Sequence, residues 1–139
     1  MKIRAFERAD KAAVVDLWRR CGLLRPWNDP HKDIARKLLV QPESFLVGVI
    51  DGQIVAAVMA GFEGHRGWIN YLAVDPGHQR QGYGRRLMAE AEARLLALGC
   101  PKINLQIRCD NLEAIKFYQR LGFSQDAAVS FGKRLIHDA

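Results

Sequence analysis

The chain has 139 residues, a formal net charge of +6, and apolar and charged fractions of 49% and 26%, those of one ordinary globular domain with room for a real core. No apolar run approaches the roughly 20 residues of a membrane helix, and three cysteines without C-x-x-C spacing (Cys21, Cys100, Cys109) argue against a disulfide framework or zinc knuckle. The four histidines are scattered, so no metal is expected. Met1–Arg8 lacks the apolar core of a signal peptide, so a cytoplasmic location is expected. The basic balance suits an acidic ligand, but the cations are dispersed rather than gathered in the stripe that nucleic acid would require.

Lys2 to Phe6 alternates polar and apolar residues, as a short strand would. Asp10 is placed to cap a helix with Val14, Leu17, Trp18 and Cys21 on one face and Gly22 as its stop. Trp18 reads as core. Two prolines then bracket Trp27, Asn28 and Asp29, and Asp29-Pro30 opens a second helix over His31–Val40. Ser44–Ile50 and Gln53–Phe62 read as strands joined by an Asp51-Gly52 hairpin turn. A turn at Glu63–Gly67 leads to a third strand of this meander, Trp68–Val74. A long helix follows from about Tyr83 to Leu98, with Leu87, Ala91, Leu95 and Leu98 inward. Ile103–Ile107 alternates as a strand. Asp110 or Asn111 caps a last helix that Gly122 ends, and Phe123–Ile136 reads as a final pair of strands.

The stretch Gln79-Arg80-Gln81-Gly82-Tyr83-Gly84 sits where a strand and an Asp75-Pro76-Gly77-His78 turn hand over to the long helix. Glycine there lets backbone N–H groups approach a ligand, and a helix N-terminus offers unpaired donors and about half a positive charge. Arg80, Arg85 and Arg86 crowd that end. Cations there oppose the helix dipole by a few tenths of a kcal/mol each, and a bound phosphate group would reverse the sign. The plain alternative is a glycine turn with solvated arginines. There is no Gly-Lys-Ser/Thr of a P-loop and no third glycine of a dinucleotide fingerprint.

This hexapeptide resembles the (Gln/Arg)-x-x-Gly-x-(Gly/Ala) acetyl-CoA signature of the GNAT N-acetyltransferases. Asn111-Leu112-Glu113-Ala114-Ile115-Lys116-Phe117-Tyr118-Gln119-Arg120-Leu121-Gly122-Phe123 resembles the same family's Asn-x-x-Ala-x-x-x-Tyr-x-x-x-Gly-Phe helix. The likeness runs from Ile3 to about Leu135. It implies one GNAT domain over residues 1–139. The implied fold is α/β: a mixed, mostly antiparallel sheet, splayed between its fourth and fifth strands and flanked by about four helices.

The implied activity is transfer of the acetyl group of acetyl-CoA to a primary amine, on a small molecule or a peptide, by direct attack. N–H groups from Gln81 to Arg85, with Gln79 and Arg80 beside them, are expected to hold the diphosphate. The backbone of Leu72, Ala73 and Val74 is expected to pair with the pantetheine arm. Asn111, Ala114 and Phe117 complete the cofactor side, with Asn111 a helix cap as well. Tyr118 is the expected general acid, since a phenol of pKa near 10 suits a departing thiolate. Glu63 is the candidate general base, with His65 and Asp75 as alternatives. Trp27, Asn28 and Asp29 are candidate acceptor contacts, or simply loop packing and a cap. In the branch that acetylates ribosomal-protein N-termini a glutamate stands where this chain has Gln106, which takes no proton at neutral pH; that puts this acceptor in doubt, although the chain otherwise resembles that branch. The competing functional classes are an acyl-CoA sensor without turnover and a basic nucleic-acid binder. A homodimer is left open.

Overall fold

The computed structural model describes residues 1–138. The elements are β1 (Lys2–Ala5), α1 (Lys11–Arg20), α2 (Pro30–Lys37), β2 (Phe45–Ile50), β3 (Gln53–Phe62), β4 (Gly67–Val74), α3 (Tyr83–Ala97), β5 (Ile103–Leu105) and α4 (Leu112–Arg120). The sheet order follows the chain, β1-β2-β3-β4-β5. β1 to β4 are antiparallel neighbours, and β4 and β5 are parallel.

Local signals set most of these boundaries. The hairpin between β2 and β3 has positive φ at Asp51 (51°) and Gly52 (76°), the geometry that two-residue hairpins favour. Asp29 caps α2, accepting from the N–H of His31 (2.8 Å) and Lys32 (3.3 Å), and Pro30 takes the first helical position. α2 stops at Lys37 rather than Val40: the Leu39 and Val40 N–H groups bond only three residues back, to Arg36 (3.1 Å) and Lys37 (3.0 Å), and the Lys37 ammonium bonds the carbonyls of Val40 (2.9 Å) and Ala60 (2.6 Å). Asp10 does not cap α1. Its carboxylate instead takes the Arg4 guanidinium (2.7 and 3.0 Å) and the Glu7 N–H (2.8 Å), tying β1 to the chain that enters α1.

Both faces of the sheet are covered. Val14, Leu17 and Trp18 of α1 and Ile34 of α2 pack on Phe45, Val47, Ala57 and Met59. On the other face Leu87, Met88, Ala91 and Leu95 of α3 pack on Leu46, Ala56, Val58 and Ile69. Successive residues of β2 and β3 thus enter opposite cores, which is why these strands are near-continuous apolar runs. Leu98 lies beyond α3 and is 44% exposed, not inward.

β4 changes phase partway. Ile69 belongs to the α3 side, whereas Tyr71 and Ala73 belong to the α1 side. A regular strand would put all three on one face. The β3–β4 register jumps here, from Ala57↔Ala73 to Met59↔Asn70, and Tyr71 has φ of 53°. This is a β-bulge.

The expected final pair of strands is not found among the described residues. Side chains, not backbone, join this segment to the rest. Asp126 accepts from Lys102 (2.9 Å) and Asn104 (2.7 Å), Ser130 meets Gln106, and Asp138 accepts from Arg36 (2.7 and 3.0 Å). Val129, Phe131 and Leu135 point outward. The segment therefore has no buried apolar face to dock it as a ladder strand.

Candidate active site

β4 and β5 are paired at only three positions, Gly67↔Ile103, Trp68↔Asn104 and Ile69↔Leu105. β4 then runs on to Val74 without β5 beside it, which opens a wedge along Asn70–Val74. The start of α3 stands at the mouth of the wedge. Gly82 precedes the helix with φ of 79°, and Arg80 also has positive φ (64°). The helical ladder begins with Arg86 N–H on the Gly82 carbonyl (3.1 Å). The N–H groups of Tyr83, Gly84 and Arg85 consequently have no partner among the described residues, as expected at a helix start. No acidic side chain lies in that first turn. Arg86 is held by the Met1 carbonyl (2.7 Å), while Arg80 and Arg85 make no ion pair among the described residues. Gln79 turns back onto β4, its amide donating to the Val74 carbonyl (3.1 Å).

α4 closes the other side. Asn111 caps it, accepting from Ala114 N–H (3.1 Å). The Phe117 ring lies against Gly84. Tyr118 stands edge-on to Phe117 (5.1 Å between centroids) and to Phe123 (5.6 Å). Leu72, Val74, Phe117 and Tyr118 all pack against the α3-side core, and Val74 and Phe117 both lie against Gly84. Burial pushes the Tyr118 phenol up to about 12, which keeps it protonated and able to donate.

The residues on the α2 side are less concentrated. Trp27 is half-exposed, with the Arg108 guanidinium 5.6 Å from its ring centre. Asn28 accepts from Arg134 (2.8 Å), and Asp29 is spent on its cap. Glu63 is exposed, and its carboxylate accepts the N–H groups of His65 (2.8 Å) and Arg66. Those bonds hold it below the usual carboxylate range and weaken it as a base. Asp75 is engaged by Arg20 and by His78 Nδ1 (2.8 Å). A cavity of about 200 Å³ opens between α2 and the sheet, with Lys37, Met59, Glu63, Trp68 and Asn70 among its walls. Tyr71, next in the chain to Asn70 of that wall, donates to Asp33 at 2.6 Å, a pair that the sequence does not single out. An acid on a helix and a tyrosine in an apolar strand carry no local signal of that meeting.

A mixed sheet opened between two parallel strands, with a glycine loop and a helix start at the opening, defines an acetyltransferase of the GNAT type. The sequence matches the Acetyltransferase (GNAT) family over residues 11–123. It is 47% identical over 139 residues to a protein named acetyltransferase from Sodalis glossinidius, covering 99% of this chain and 98% of that one. A Pectobacterium atrosepticum protein of the same description is 47% identical over 138 residues, with the same coverage. Among solved structures, the ribosomal-protein-S18-alanine N-acetyltransferase from Escherichia coli aligns with TM-score 0.76 and 27% identity, over 91% of this chain and 79% of that one. The aminoglycoside N-acetyltransferase AAC(6')-Iy, solved with a CoA-linked bisubstrate analogue, aligns with TM-score 0.80 over 97% and 98% of the two chains, and at 16% identity it speaks for the fold alone. The chain belongs to the GNAT acetyltransferase family, and its activity is acetyl transfer.

Proposed function

We propose that the chain moves the acetyl group of acetyl-CoA to a primary amine of a small molecule or peptide by direct attack. The observation that carries this reading is the unpaired edge of β4 ending at an unpartnered helix start. The residues there fit a diphosphate. A Cβ built at Gly82 meets nothing within 4 Å, so the space beside the loop is open, and the helix start behind it offers free N–H groups. Tyr83, Gly84 and Arg85 would bind the phosphates through their N–H groups, with Arg80 and the Arg85 guanidinium supplying charge. Gln79 would swing off the Val74 carbonyl as Leu72, Ala73 and Val74 take the pantetheine arm. Ala114 and Phe117 would wall the arm, and Asn111 would meet it from the α4 cap.

Acetyl-CoA brings a thioester that is already activated, so the protein must orient it, meet the charge growing on its oxygen, and protonate the leaving sulfur. A β4 N–H near the bulge would face the oxygen. Tyr118 would give its proton to the thiolate. The ammonium would lose its proton to water at the cavity mouth, with Glu63 as the carboxylate lining it and Trp27, Asn28 and Asp29 bordering the acceptor from the far side. Calorimetry of acetyl-CoA with the wild-type protein, coupled to thiol release on adding amines, tests the reading. Micromolar binding and amine-dependent release are expected.

A further inference from the structure

We propose that Asp33 and Tyr71 form a seat for the acceptor's ammonium group, and that the cavity beside them takes an apolar, aromatic-sized substituent on the same amine. This assignment rests on the acetyl-transfer reading above and names the acceptor class for it. Tyr71 occupies a left-handed backbone conformation (φ 53°), which a bulky L residue adopts only where its surroundings force it. There its ring is stacked on Trp18 at 3.9 Å and its hydroxyl bonds Asp33.

That hydrogen bond fixes what the pair can do. The Tyr71 proton is committed to Asp33 Oδ2, so the phenol oxygen presents only acceptor lone pairs. Burial first, and the carboxylate after it, hold the phenol above its usual value, so it keeps that proton. Asp33 Oδ1 has Arg36 at 3.6 Å, too far for a hydrogen bond. Two oxygens, one of them ionic, therefore lack a donor. The neighbouring cations make their hydrogen bonds elsewhere, with Arg36 at ion-pair distance from Asp33. Arg36 makes two bonds to Asp138, and Lys37 is held by two carbonyls. Glu63 and Lys37 both line the cavity and offset one another in charge, which leaves Asp33 as the carboxylate of the seat. A primary ammonium supplies the N–H⁺ donors this arrangement lacks.

Position and shape agree. Tyr71 lies between Asn70, which lines the cavity, and Leu72, on the strand edge proposed for the thioester. Lys37, in the cavity wall, is one turn beyond Asp33 on α2. Val40, Met59, Phe62 and Trp68 make the wall mainly apolar, and Trp68 remains 39% exposed on it. A cavity of about 150 Å³ accommodates benzene, so about 200 Å³ is ample for a phenyl group.

The test uses 2-phenylethylamine and its neutral isostere 2-phenylethanol. Each is titrated against the wild-type protein, free and CoA-loaded, by tryptophan fluorescence and NMR shifts. The amine is expected to bind at least about tenfold tighter than the alcohol, the size of one charge-assisted hydrogen bond. Asp33→Asn should erase that preference while alcohol binding stays as it was, Tyr71→Phe should keep it because the Asp33 carboxylate remains, and Trp68→Ala should weaken both probes alike. Equal binding of the two probes by the wild type overturns the proposal. So does a preference that survives in Asp33→Asn at an unchanged melting temperature. Should Asp33→Asn misfold, the wild-type comparison of the two probes still decides the question. Failure to bind CoA would overturn the acetyl-transfer reading, while the amine preference of the free protein still judges the seat.

Discussion

The Phe117 ring of α4 occupies the space into which a side chain at Gly84 of α3 would grow: a Cβ there would stand 3.2 Å from Phe117 Cζ. One contact thus joins the two sequence blocks on which the family resemblance rests, and it sets the spacing of the two helices that flank the wedge. It also explains why residue 84 is glycine although its backbone is plainly helical. Gly84→Val should push Phe117 and its neighbour Tyr118 away from the wedge. Turnover should fall more than acetyl-CoA affinity, and the separate changes in kcat and Kd check this.

Gly82 is glycine for another reason. Its φ of 79° is left-handed and the space before it is open. Gly82→Glu should leave a folded protein, with a melting temperature lowered by the strain of about 1–2 kcal/mol for an L residue there. Acetyl-CoA binding should be lost, because a carboxylate would stand where phosphate is expected. Calorimetry beside a thermal melt separates the two effects.

Tyr118→Phe removes only the hydroxyl from a ring packed between Phe117 and Phe123. Turnover should drop about 10²-fold or more, the loss expected of a general acid, with cofactor affinity unchanged. Since burial raises this phenol to about 12, kcat in the wild type should show no alkaline limb from Tyr118 below about pH 11. Glu63→Gln should cost less than the about 10²-fold of a dedicated base, because its carboxylate is already bound by its own turn.

Acid should unfasten two ion pairs. Hydrogen bonding to Arg4 lowers Asp10, and hydrogen bonding to Arg36 lowers Asp138 to about 2. A lowered folded value stabilises the protein above the unfolded carboxylate value of about 3.9, and that stability is lost as pH falls through the folded value. The melting temperature should therefore drop between about pH 4 and pH 2, and Asp138→Asn should flatten part of that drop.

Trp18 is fully buried and stacks on both Tyr71 and Phe45. Trp18→Ala should destabilise the fold by about 3–5 kcal/mol, measured by urea unfolding.

Most of the architecture was legible because its signals are local. The Asp51-Gly52 turn, the Asp29 cap with Pro30, the α1 face and the glycine loop each follow from neighbours in the chain. The bulge at Tyr71 was not legible, since nothing in Trp68–Val74 marks where the strand changes phase. Asp33 meeting Tyr71, 38 positions away, depends on how α2 settles on the sheet. The segment after Gly122 carries weak strand signals, and whether such a segment pairs is decided by contacts remote in sequence.

The measurement that bears most directly on the central claim is thiol release from acetyl-CoA by the wild-type protein against a panel of amino acids, polyamines, aminoglycosides, arylalkylamines and short peptides, with a parallel thermal shift. Acetyl-CoA should stabilise the protein and thiol should be released with at least one amine class, and that release should be greatly reduced in Tyr118→Phe. No stabilisation by acetyl-CoA and no release with any amine would contradict that claim.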